Sequence, residues 1–260
     1  WSNDFTTLSD LCGSTGSATV TFTATDDCGN SASTSAVFSI TDNTDPVISV
    51  QASDLNVECN GAGNTTELNA WLASNGGAQA SDNCGSVNWS NDFTSISDLC
   101  GATGSATVTF TVTDECGNST TTSATFTITD NTAPVINIQA ADLNVECDGA
   151  GNTTELNAWL ASNGGAQASD NCGSVNWSND FTSISDLCGS TGSATVTFTA
   201  TDECENSVTT SATFTITDNT APVISVQAAD LNVECDGTGN TTELNAWLAS
   251  NGGAQASDNC

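Results

Sequence analysis

The side chains able to do chemistry in this sequence are cysteines, carboxylates and asparagines. There are twelve cysteines, no His, no Lys or Arg, no Tyr and 31 acids, for a formal net charge of −31. No cysteine pair has CxxC spacing and no imidazole is present, so zinc is a poor reading. An even set of cysteines at fixed positions in a small, loop-rich unit reads instead as disulfides formed in an oxidising compartment. The acids have no side-chain cation to pair with. Nothing can neutralise phosphates, which excludes nucleic acid and an anionic membrane surface as partners. Metal cations are the obvious counter-charge, and Asp, Asn and backbone oxygens select hard ones, calcium above all. General acid–base or nucleophilic catalysis lacks its usual groups, so an enzyme is not expected.

These residues recur. "WSNDFT" begins at Trp1, Trp89 and Trp177, a period of 89 − 1 = 88 residues, and the cysteines fall into four sets with that spacing. A unit of 88 residues is a small domain rather than a solenoid turn. The three prolines, Pro46, Pro134 and Pro222, all lie in the recurring "TDNT-x-PVI", which suits a link entering a first strand. This gives whole repeats at 43–130 and 131–218, the second half of a repeat at 1–42 and the first half of another at 219–260. No hydrophobic run is long enough to span a bilayer, so direct membrane insertion is not expected. With no signal segment, the sequence reads as a processed or partial chain.

Within 43–130, "SATVTFTVTD" alternates Val108, Phe110 and Val112 with threonines, and "TSATFTITD" alternates Ala124, Phe126 and Ile128. Both predict half-buried strands with a Thr-covered outer face. "VNWSNDF" predicts a third strand, and "PVISVQ" and "DLNVE" short ones. "NTTELNAWLASNGG" breaks the pattern: Leu68, Trp71 and Leu72 have helical spacing, Asn64 and Glu67 have that of an N-cap and its N3 partner, and Gly76 follows as a stop. The sum is mainly β, a tandem array of sandwiches resembling an immunoglobulin fold, each with one short inserted helix and two disulfides.

Four cysteines per repeat allow three connectivities. Cys100 and Cys116 flank a strand roughly 27 Å long, whereas a disulfide needs Cα atoms within about 7 Å. Rejecting that pair rejects Cys59–Cys84 with it. In an immunoglobulin-like sandwich Cys84 and Cys116 fall at one pole, and Cys59 and Cys100 at the other. The expected pairs are therefore Cys59–Cys100 and Cys84–Cys116, and by repetition Cys147–Cys188 and Cys172–Cys204. The half repeats leave Cys12, Cys28, Cys235 and Cys260. The same rule pairs Cys235 with a neighbour's Cys12, and Cys260 with its Cys28.

"TVTFTATDDCGNSASTSAVFSITDNTDPVI" resembles the end of a hyalin-repeat (HYR) domain running into the next. "DLNVECDGAGNTTELNAWLASNGGAQASDNCG" is similar to the version found in long secreted surface proteins of Bacteroidota-type bacteria. The resemblance covers the whole chain, and it implies an immunoglobulin-like sandwich used in adhesion or as a stalk. The inserted "ELNAWLASNGG" departs from the commonest pattern of that family.

N-x-S/T marks Asn64, Asn88, Asn118, Asn152, Asn176 and Asn240 as glycan acceptors. Asn88 and Asn176 alternate with inward Trp89 and Trp177 and should face solvent, Asn118 lies in a hairpin turn, and Asn64 has a competing role as helix cap. Chance occurrence in an Asn- and Thr-rich chain is the bland alternative. Asp42, Asn43, Asp45, Asp130, Asn131, Asp218 and Asn219 at the links are candidate calcium ligands, against merely solvated acids. The expected function is a segment of a long extracellular or cell-surface fibre, decorated with glycan, whose partners are copies of itself along a filament axis. The alternative is a calcium-stiffened multivalent adhesin stalk, with ice binding by the Thr rows a remote third.

Overall fold

The computed structural model describes residues 1–185 and 187–260. The chain divides into two compact units, one of residues 1–132 with 171–173, the other of 133–170 with 174–260. Each holds one whole β-sandwich and one half.

In the first unit a four-stranded sheet runs in the order Leu55–Glu58, Ser119–Thr129, Gly104–Asp114, Val87–Asn91. The two long strands pair antiparallel with Val108 opposite Ala124 and Phe110 opposite Thr122. Their alternation is realised: Val108, Phe110, Val112 and Phe126 are fully buried, while threonines line the outer face, Thr107 and Thr125 meeting at 3.0 Å between hydroxyls. Leu55–Glu58 joins parallel to the last strand, Leu55 opposite Phe126. The second layer is a pair of short strands, Val47–Val50 with Gln79–Ser81, and the helix Thr65–Ala73, which buries Leu68 and Trp71. The Trp71 ring stands edge-on to Phe110, with centroids 5.3 Å apart, and its indole N–H donates to Ser53 O at 3.0 Å. Aromatic edge-to-face packing of this kind adds about 0.5–1.5 kcal/mol to the area it buries.

The expected capping box does not form. Asn64 is the N-cap, but in the left-handed region (φ 49°), with no side-chain cap hydrogen bond. Its amide instead donates to Glu58 O at 3.0 Å and its oxygen accepts from Asn60 N–H. The side chain therefore ties the helix start to the strand before it.

The second unit repeats the design. Its four-stranded sheet runs Leu143–Glu146, Ser207–Thr217, Gly192–Thr201, Asn176–Asn179. The helix Thr153–Ala161 places Trp159 against Phe198 at 5.2 Å.

The half repeats show what a missing partner does. Residues 1–42 form a three-stranded sheet whose Phe22 and Phe38 are 39% and 59% exposed, where their equivalents Phe110 and Phe126 are at 0%. At the other end the helix Thr241–Ala249 forms, but Leu244 is 50% exposed against 7% for Leu156. The sequence "LNVE" is a strand at Leu143–Glu146, where a parallel partner exists, and irregular at 231–234, where none does. Identical local propensity gives two outcomes, so the strand is made by its neighbour.

Candidate functional site

The cysteines carry the chief correction to the sequence reading. Cys59 is bonded to Cys172, and Cys12 to Cys116, with Cα separations of 6.1 and 5.1 Å; in the second unit Cys147 is bonded to Cys260 at 6.2 Å. The expected Cys59–Cys100, Cys84–Cys116, Cys147–Cys188 and Cys172–Cys204 do not form. The sequence separations are 113, 104 and 113 residues, each more than the 88-residue period, so every one of these bonds leaves its own repeat. The geometric argument put Cys59 and Cys100 at one pole and Cys84 and Cys116 at the other. In the structure each bond joins a cysteine of one kind to one of the other kind from the following repeat. Cys100 and Cys204 are also disulfide-bonded. Among the described residues Cys28, Cys84, Cys188 and Cys235 are free. Cys12 and Cys260, expected to bond outside the chain, are bonded within it.

Short turns hold these sulfurs in place. Asp82 Oδ1 accepts the Cys84 N–H at 2.7 Å, and Asp114 Oδ1 accepts those of Cys116 and Asn118 at 2.8 and 2.9 Å. Thr15 donates its hydroxyl to Cys12 O at 2.6 Å. Ser14 N–H donates to Cys84 O at 2.8 Å. That approach requires glycine at position 13: its φ is +57°, and a Cβ there would lie 2.2 Å from the Cys84 carbonyl oxygen. Gly189 meets Cys260 O in the same way. Burial pushes the Cys84 thiol up from its ordinary pKa, and the charges of Asp42 and Asp82 push it further, so it stays protonated at neutral pH.

The link acids separate into two groups. Asp42 lies with Asp82 and Cys84, and Asp218 with Asp258 and Cys260, ligand atoms within 4.8 Å of one another in each cluster. Asp42 Oδ1 accepts from Thr44 N–H, but its Oδ2 is buried with no hydrogen-bond partner. Two facing carboxylates and one unsatisfied buried oxygen, in a chain with no base, fit a hard cation held by oxygen. Sulfur does not fit that role, because Cys260 is in a disulfide and Cys84 is held as a thiol. Asn131 and Asn219 do something else. The backbone N–H of Asn131 donates to Glu58 Oε1 at 2.7 Å and its amide to Oε2 at 3.0 Å, with Thr132 adding a third bond; Asn219 and Thr220 hold Glu146 alike. The Asn131 backbone bond, then its side chain and Thr132, keep the Glu58 carboxyl below its ordinary range. Asn43 and Asp45 are exposed, and Asp130 accepts from Thr132 N–H. Glu58 and Glu146 were missed in the sequence because their partners lie 73 residues on.

The glycan acceptors also separate. Asn88 and Asn176 are exposed on strand edges. Asn64 and Asn152 are 1% and 2% exposed, both amides engaged with a strand carbonyl, so the fold closes these two. Asn240 makes the same bond, to Glu234 O, and Asn118 donates to Asp114 Oδ2 at 2.7 Å.

Residues 176–245 match the family model of the bacterial Ig-like domain (group 3). No curated protein matches the sequence. Among solved structures, mouse clustered PcdhgC3 EC1-3 is 13% identical, covering 80% of this chain and 79% of that one at a TM-score of 0.31. Drosophila N-cadherin EC1-4 is also 13% identical, covering 80% and 59% at 0.31. The chain is an array of immunoglobulin-like β-sandwich repeats; these two likenesses add no functional argument. Among the described residues no helix is long and apolar enough to cross a membrane.

Proposed function

We propose that this chain is a structural segment of a long extracellular fibre built from immunoglobulin-like repeats in series. The observation that carries this reading is the disulfide pattern: Cys12–Cys116, Cys59–Cys172 and Cys147–Cys260 each tie one repeat to the next. Disulfides between repeats suit a fibre under tension in an oxidising exterior, and glycans on Asn88 and Asn176 would face outward from it. Imaging of the assembled protein tests this: continuous filaments support the reading, and dispersed single chains under assembly conditions refute it. Intact mass of the same material tests the sugars.

A second reading, a calcium-stiffened adhesin stalk, is favoured by the Asp42–Asp82 cluster with its unsatisfied oxygen. It shares the array and differs in assigning the stiffness of the links to a bound ion. Calcium there would neutralise the paired carboxylates and fix the link between repeats.

A further inference from the structure

Each of the three proline links is spanned by a disulfide whose cysteines lie well outside it. Cys12–Cys116 bridges 42–46, Cys59–Cys172 bridges 130–134, and Cys147–Cys260 bridges 218–222. One sandwich hands over to the next at these links, and residues 43–45, 131–132 and 219–221 are exposed. Exposed segments with few packed contacts are where an array stretches or is nicked first. Here each of them has a covalent bypass. The pairing expected from sequence, Cys59–Cys100 with Cys84–Cys116, would have left every link as the sole connection between its neighbours.

The same bonds shorten the covalent route along the array. From Cys12 to Cys260 the backbone runs 260 − 12 = 248 residues. Crossing Cys12–Cys116, following the backbone to Cys147 and crossing Cys147–Cys260 takes only 147 − 116 = 31 residues and two S–S bonds. At roughly 3.5 Å per residue for a fully extended chain, the backbone could be drawn out to roughly 870 Å and the disulfide route to roughly 120 Å.

The stretch from Cys116 to Cys147 also starts with little slack. It contains strands of eleven, four and four residues, Ser119–Thr129, Val135–Ile138 and Leu143–Glu146, which already rise about 3.3–3.4 Å per residue. Ser119–Thr129 is an inner strand of its sheet. It pairs antiparallel with Gly104–Asp114 and parallel with Leu55–Glu58, so hydrogen bonds hold it on both sides. The other elements of that repeat, including the helix Thr65–Ala73 and the strand Gly104–Asp114, lie inside the loop closed by Cys12–Cys116 and off the route.

Resting on the fibre reading, we infer that tension along the fibre is carried by this route of disulfides and extended strand, and that the sandwiches are shielded from it. The oxidised chain is inextensible, and the repeat 43–130 cannot be drawn out to its full length while Cys12–Cys116 is intact. The sandwiches then serve to hold the route in place rather than to resist the pull.

The test uses the full 260-residue chain, held by peptide handles at its two ends and stretched in a single-molecule force instrument. With residues 1–12 added to the route, the oxidised chain should reach a contour of roughly 160 Å between handles and no more. With a thiol reductant it should reach roughly 910 Å, released in steps as the sandwiches open. Oxidised C12S/C116S should reach roughly 300 Å, because the shortest route must then enter through Cys59–Cys172. An oxidised wild-type chain that lengthens in steps of a whole 88-residue repeat, roughly 310 Å each, would overturn the shielding and leave the fibre reading standing. A double variant no longer than the wild type would likewise overturn it. A wild-type contour held at 160 Å in protein that imaging shows only as dispersed chains would support the shielding and refute the fibre.

Discussion

Cys59 is bonded to Cys172, 113 residues away, and to neither candidate within its own repeat. The consequence is that the disulfides do not staple each small sandwich shut; they tie sandwiches in series. A repeat is held internally by its own core and by the parallel strand Leu55–Glu58 lying against Phe126.

Removing Cys12–Cys116 should therefore lower stability without unmaking the repeat 43–130. A closed loop of 104 residues is expected to contribute about 2–5 kcal/mol. The C12S/C116S variant should keep its β circular dichroism and lose several degrees of Tm by calorimetry.

The core of the repeat depends on Trp71, buried against Phe110 and Phe126. Trp71→Ala should cost about 3–5 kcal/mol, more than loss of any one surface contact. Urea unfolding should show the midpoint moving with little change in slope.

Gly13 sits at positive φ against the Cys84 carbonyl. Gly13→Ala should destabilise by more than about 1 kcal/mol, since both the backbone conformation and the space forbid a Cβ. The readout is thermal unfolding of the 1–42 segment, followed by hydrogen exchange of the Ser14 amide bonded to Cys84.

Acid should loosen the links before it unfolds the cores. Glu58 and Glu146 have folded pKa values lowered from an ordinary value of 4.5 by bonds from Asn131 and Asn219. A depressed carboxylate contributes stability that is complete above its unfolded pKa and is lost as pH falls through the folded one. The link contribution should thus be intact at pH 6 and disappear below about pH 4. E58Q should remove most of that dependence at the first link, measured as Tm against pH.

If calcium binds, it acts at Asp42 with Asp82. Millimolar calcium should raise the Tm of the wild-type chain, stabilising it by about 2.7 kcal/mol at a hundredfold excess over Kd. Chelator should reverse it, and D42N/D82N should abolish the response. An equal response in the double variant would place the ion elsewhere.

The sandwich was legible in sequence because its signals are local. The alternation of Val108, Phe110 and Val112 and the spacing of Leu68 and Trp71 each point to one face, and those faces are the core. The strands at 55–58 and 87–91 are likewise expected from sequence. The cysteine pairing did not follow, because a perfect period makes Cys84 and Cys172 indistinguishable by type or spacing, and only stacking of repeats decides between them. The role of Asn64 was misread for a related reason. Its acceptor, Glu58 O, lies on a strand whose place is fixed by Phe126, far along the chain.

The central claim, that disulfides tie successive repeats in series, is tested most directly by peptide mapping of the full chain without reduction. The account predicts a peptide joining Cys59 to Cys172. A peptide joining Cys59 to Cys100 or to Cys84 would contradict it.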